Sequence, residues 1–134
     1  MASSTAETLR QLAWVFLAGG LGATLRVVLA GVIDERWSSR LPSIGTLGVN
    51  MIGCFAIGVA AAALPTGTMR TAIVGGLLGG FTTYSAFALL SHDLLREGRV
   101  STLALQIGLH IGLGIVLAAA GIAAGRALFG PPAS

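Results

Sequence analysis

Long apolar stretches separated by short polar punctuation organise this chain. Residues 12–33 are almost uniformly apolar and end at Asp34-Glu35-Arg36, and a second stretch, 44–64, follows Pro42 and stops at Pro65-Thr66-Gly67. A third occupies 71–90 and closes near Asp93, and a fourth covers 102–128 before Pro131-Pro132. Each is close to the roughly 20 residues a helix needs to cross a hydrocarbon core. The pattern predicts an all-α integral membrane protein, one four-helix domain over 1–134 with its third helix broken. The connections are short, so an up-down bundle with both termini on one side follows.

Composition agrees with that reading. The chain is 54% hydrophobic and only 10% charged, too little polar surface for a domain in water. Twenty glycines suit helices in lipid, which approach one another through small residues. The net charge of +3 does not point to nucleic acid, because all eight basic residues are single, scattered arginines without an aromatic-interleaved cluster. One cysteine, Cys54, excludes an intrachain disulfide and reads as a packed thiol. The start of the chain loosely imitates a signal peptide, but the apolar run continues to Ile33, so the segment reads as a retained span.

Orientation is not settled by charge. Arg10, Arg70 and Arg126 fall on the side of the termini, and Arg36, Arg40, Arg96 and Arg99 on the other. Three against four is no decisive bias. Insertion both ways, and with it an antiparallel homodimer about a two-fold axis in the membrane plane, fits this balance. A fixed orientation with Arg40 or Arg126 too deep to count is the alternative.

Polar groups at membrane depth are costly and mark function by default. Glu7, Asp34, Glu35, Asp93 and Glu97 all sit at or outside span ends, whereas Arg26, Asn50, Thr82, Thr83, Ser85, Gln106 and His110 fall inside. An interior with no carboxylate favours anions over a proton-coupled cation exporter. Arg26 either snorkels to water or lines an electropositive vestibule. Asn50 either bonds a neighbouring helix or turns an amide N–H toward a passing anion, with Thr46 one turn earlier expected to hold it.

The third span is the least helix-like. Gly75, Gly76, Gly79 and Gly80 are followed by Phe81-Thr82-Thr83-Tyr84-Ser85, a run that invites a break between Gly79 and Thr82. Carbonyls freed there can hold a small hard cation, and two antiparallel copies crossing at the break can share it. A close glycine crossing without an ion reads equally well. Tyr84 and Phe87 are three apart and share a helical face, where ring edges with partial positive charge can accompany an anion or simply pack. Gln106 and His110 form a polar stripe on the last span that continues to Gly114, either packed or donor-lined.

Gly19-Gly20-x-Gly22-Ala23-x-x-Arg26, Gly45-Thr46-Leu47-x-Val49-Asn50-x-x-Gly53, Gly79-Gly80-Phe81-Thr82-Thr83-Tyr84-Ser85-x-Phe87 and Leu94-Leu95-Arg96-Glu97-Gly98-Arg99 together resemble the Fluc (CrcB) fluoride channels. The resemblance covers nearly the whole chain from Leu12 onward. It implies a dual-topology antiparallel homodimer in the inner (plasma) membrane, surrounded by lipid, carrying fluoride passively out of the cytoplasm. It also implies a structural sodium ion on the backbone carbonyls of Gly79 and Thr82 from both subunits. Asn50 would then contact fluoride, Tyr84 and Phe87 would stand at the two pore phenylalanine positions, Thr46, Thr83, Ser85, Gln106 and His110 would complete the anion pathway, and Arg26 would line the approach. Three departures stand out: tyrosine at 84, leucine at 90 where many relatives carry glutamate, with Asp93 nearby, and histidine at 110, which brings a group of reference pKa about 6.5 into the path. No nucleotide loop, triad or buried carboxylate suggests an enzyme or a pump. The competing classes are a small multidrug exporter, opposed by the missing carboxylate, and a non-conducting structural subunit.

Overall fold

The computed structural model describes residues 4–37 and 41–130, so Arg40 and Pro131-Pro132 lie outside the described residues. Four helical segments are long and apolar enough to cross a membrane: Thr5–Trp37, Ile44–Ala63, Thr68–Arg96 and Val100–Phe129. The first two are α1 and α2. The third is interrupted, giving α3 over 68–81 and α4 over Tyr84–Arg96, and the fourth is α5. The six, four and three residues joining successive spans reach at most about 20 Å, too short to recross roughly 30 Å of hydrocarbon, so neighbouring spans alternate in direction.

The helices overrun the apolar stretches that announced them. α1 begins at Thr5 because Ser4 and Glu7 form a reciprocal cap: the Ser4 N–H donates to Glu7 Oε2 (3.2 Å) and the Glu7 N–H to Ser4 Oγ (3.3 Å). Hydropathy marks where lipid ends, whereas caps mark where the helix ends. Charged residues supply other ends too. Asp34 Oδ1 accepts from the Gly45 N–H in the first turn of α2 (2.8 Å), and Arg70 Nη1 donates to the carbonyls of Ala61 (3.1 Å) and Leu64 (3.0 Å) at its last. α4 closes on a Schellman turn, with Arg99 N–H on the Leu94 carbonyl, Gly98 N–H on Leu95, and Gly98 at φ 70°.

Two stretches are wound wider than an α-helix, with i→i+5 bonding over Thr71–Leu78 in the third span and Leu109–Leu113 in the fourth. Neither is visible in the residue pattern, which carries no signal specific to such turns.

Packing runs through small residues. α2 lies against α5, where a methyl on Gly58 would strike the Ala118 carbonyl and one on Gly121 the Phe55 carbonyl. α1 lies against α3, where Gly22 faces the Leu77 carbonyl and Gly80 faces that of Gly19. The outer face of α1, with Phe16 and Val27, is exposed in the single chain. Gly121→Val is expected to lower stability by roughly 1–3 kcal/mol, because the backbones must separate to admit the side chain. Thermal unfolding in detergent checks this, and an unchanged melting temperature would mean that the contact between α2 and α5 has room for the larger side chain.

Candidate functional site

The site is built around two extended residues in the third span. Thr82 (φ −89°, ψ 156°) and Thr83 (φ −146°, ψ 116°) leave the helical region and interrupt the hydrogen-bond ladder at membrane depth. Glycines before them weaken the helix, and the threonine hydroxyls offer it exits. Thr82 Oγ1 donates back to the Leu78 carbonyl (3.0 Å), and Thr83 Oγ1 caps α4 by accepting from the Ala86 N–H (3.2 Å).

Asn50 completes the break from α2. Its Oδ1 accepts the Thr83 N–H (2.8 Å), and its Nδ2–H donates to the Thr83 carbonyl (3.0 Å), so the buried amide pairs with one residue as a strand neighbour would. An amide nitrogen has two hydrogens, so a second donor remains at the groove that Asn50 lines. Thr46 was expected to hold this amide. It does not: among the described residues the Asn50 oxygen and one of its donors pair with the Thr83 backbone, and Thr46 lies off the groove.

The backbone accounting around the break is specific. The Thr83 N–H goes to Asn50 rather than to Gly79, and the Ala86 N–H goes to Thr83 Oγ1 rather than to Thr82. Among the described residues, the Gly79 and Thr82 carbonyls therefore keep no hydrogen bond. The intervening Gly80 carbonyl is taken by Arg26 Nε–H from α1 (3.2 Å). Snorkelling and a vestibule were the sequence alternatives for Arg26, and neither anticipates this contact.

A groove of about 680 Å³ opens beside the break, and its wall includes Asn50, Thr82, Thr83, Tyr84, Phe87 and His110. Tyr84 meets Phe87 edge to face at 6.0 Å between centroids, and Phe87 stacks on His110 at 4.1 Å. His110 Nδ1 lies 3.0 Å from the Gln106 carbonyl, which can only accept, so Nδ1 carries the proton. Its Nε2 is buried and has no hydrogen-bond partner among the described residues. Cys54, half-buried, also faces the groove.

Not every expected pathway residue reaches this wall. Ser85 is outside it, its hydroxyl 3.2 Å from that of Thr83. Gln106 is fully buried elsewhere, with Nε2–H donating to the Pro42 carbonyl (2.8 Å) and Oε1 without a partner among the described residues, so it anchors the entry to α2. Asp93 sits on the exposed surface 3.4 Å from His92 Nδ1, away from the groove. The Asn50–Thr83 pairing and the Arg26–Gly80 bond join residues 33 and 54 apart. Local spacing holds no trace of either; the only prior signal was the cost of an arginine and an asparagine at depth.

Four helices long and apolar enough to cross a membrane, a polar-braced break in the third, and an amide donor and aromatic rings along one groove define a small multi-pass membrane protein. Residues 13–122 match the family described as CrcB-like protein, Camphor Resistance (CrcB). Similar curated relatives are each called fluoride-specific ion channel FluC. That of Allorhizobium ampelinum is 35% identical over 126 residues, 90% of this chain and 100% of the relative. That of Solibacter usitatus is 41% identical over 108 residues, 77% and 80% of the two chains, and that of Rhizobium etli strain CIAT 652 is 36% identical over 123, 85% and 94%. The chain belongs to the CrcB family, a family of ion channels and not of enzymes.

Proposed function

We propose that this protein is a passive, fluoride-selective channel of the plasma membrane that lets cytoplasmic fluoride leave down its electrochemical gradient. The observation that carries the proposal is the groove beside the break, where the spare Asn50 donor, the Thr83 hydroxyl and the rings of Tyr84 and Phe87 line one wall. Fluoride is small and strongly hydrated, so its path must replace water with donors yet release the ion again. Neutral donors and ring edges meet both demands, because none binds an anion as a buried cation would. The names of the relatives support the choice of ion.

The groove is open in a single chain, and Tyr84 along it is 79% exposed. A second copy, inserted in the opposite direction, supplies the other wall in this reading and brings two breaks together on the two-fold axis. The residues present fit a sodium ion there, since the open carbonyls of Gly79 and Thr82 are the hard oxygen ligands such an ion takes. Bound sodium would hold the broken spans together without taking part in conduction.

Liposomes holding only this protein, loaded with fluoride and chloride in sodium buffer, are expected to release fluoride rapidly and retain chloride. Absence of efflux from correctly folded protein would remove the channel reading and leave a structural subunit that needs a partner.

A further inference from the structure

The contact that the channel reading leaves unused is the one between Arg26 and the broken span. Gly19, Gly22 and Arg26 follow one another at three- and four-residue steps on α1, so they share a face. The two glycines bring that face onto the backbone of residues 76–81, because a methyl at Gly22 would strike Leu77 and the Phe81 nitrogen, and Gly80 lies against the Gly19 carbonyl. One turn further on, Arg26 Nε–H reaches the Gly80 carbonyl at 3.2 Å. Gly80 lies between the two residues whose carbonyls keep no hydrogen bond, Gly79 and Thr82. The break is thus braced on both sides, by Asn50 at Thr83 and by Arg26 at Gly80.

We infer that Arg26 is a positioning residue for the cation at the break: by occupying the Gly80 carbonyl it fixes the turn so that the Gly79 and Thr82 carbonyls stay open together. The inference rests on the sodium reading above. It also has a sign that separates it from a purely electrostatic role. A guanidinium near a cation repels it, so removing the charge alone would tighten sodium binding. Removing a brace weakens binding, because the carbonyls lose their fixed spacing. A vestibule role would instead lower anion flux, with a strong dependence on ionic strength and no change in the sodium requirement.

The test measures the melting temperature of purified protein across a sodium series, with N-methylglucamine replacing sodium at constant ionic strength. Wild type is expected to gain stability with a definite sodium midpoint. In Arg26→Gln that midpoint is expected to move up at least about tenfold, the scale of a lost hydrogen bond to a charged group. An unchanged or lower midpoint in Arg26→Gln, with wild type responding, overturns the role of Arg26 and leaves the sodium reading intact. A wild type indifferent to sodium overturns the sodium reading and the inference with it. Should Arg26→Gln not fold, Arg26→Lys keeps the charge but loses the planar reach of the guanidinium. Its midpoint is also expected to rise, and an unchanged one overturns the inference.

Discussion

Replacing Asn50 by alanine is expected to cut fluoride efflux from liposomes by about two orders of magnitude. The substitution leaves both the N–H and the carbonyl of Thr83 without their partner in a water-poor site, at about 1–3 kcal/mol for each group. It also deletes the donor that faces the groove. Asn50→Asp separates loss of the fold from loss of flux. A carboxylate still accepts the Thr83 N–H, so the break is partly kept, but it offers the carbonyl no donor and places negative charge on an anion path. Flux near zero in both variants, with Asn50→Asp eluting as folded protein, is the expected pattern. Normal flux through Asn50→Ala would move the anion path away from this groove.

The second large effect is expected at Phe87. Its ring is the middle member of the row Tyr84–Phe87–His110, meeting one neighbour edge-on and stacking on the other. Phe87→Leu keeps most of the apolar volume but removes both ring contacts, each about 0.5–1.5 kcal/mol beyond area burial. It frees the imidazole to turn and removes a ring edge from the wall. Flux is expected to fall about tenfold, the equivalent of about 1.4 kcal/mol. Tyr84→Phe, which keeps the ring, is expected to conduct within about threefold of wild type by the same measure. A Phe87→Leu channel as fast as wild type would make the row a packing feature only.

Much of the architecture was legible because it rests on short-range rules. Apolar runs gave the four spans, and the glycine–threonine sequence around residue 80 gave the break. What escaped depended on contacts across the fold. Thr46 was paired with Asn50 because the two are one turn apart, but the broken backbone offers Asn50 a better partner, a residue whose N–H and carbonyl are both free of the helix ladder. Gln106 looked like part of a stripe with His110, yet its side chain turns to the Pro42 carbonyl, which belongs to a distant connection. Helical spacing tells which residues share a face, and not which neighbour that face meets. The start of α1 at Thr5 was missed for another reason: the capping pair Ser4 and Glu7 lies outside the apolar stretch that defined the span.

The openness of the groove in a single chain bears on dosage. If a second copy supplies the missing wall, a lone chain contributes no route, and the number of working routes follows mass action in the plane of the membrane. At low abundance that number rises with the square of the chain density, and it becomes proportional only when nearly all chains are paired. A cell with few copies would then be protected far less than proportionately. Selection on such a protein would act on how tightly chains pair as much as on how fast each pair conducts.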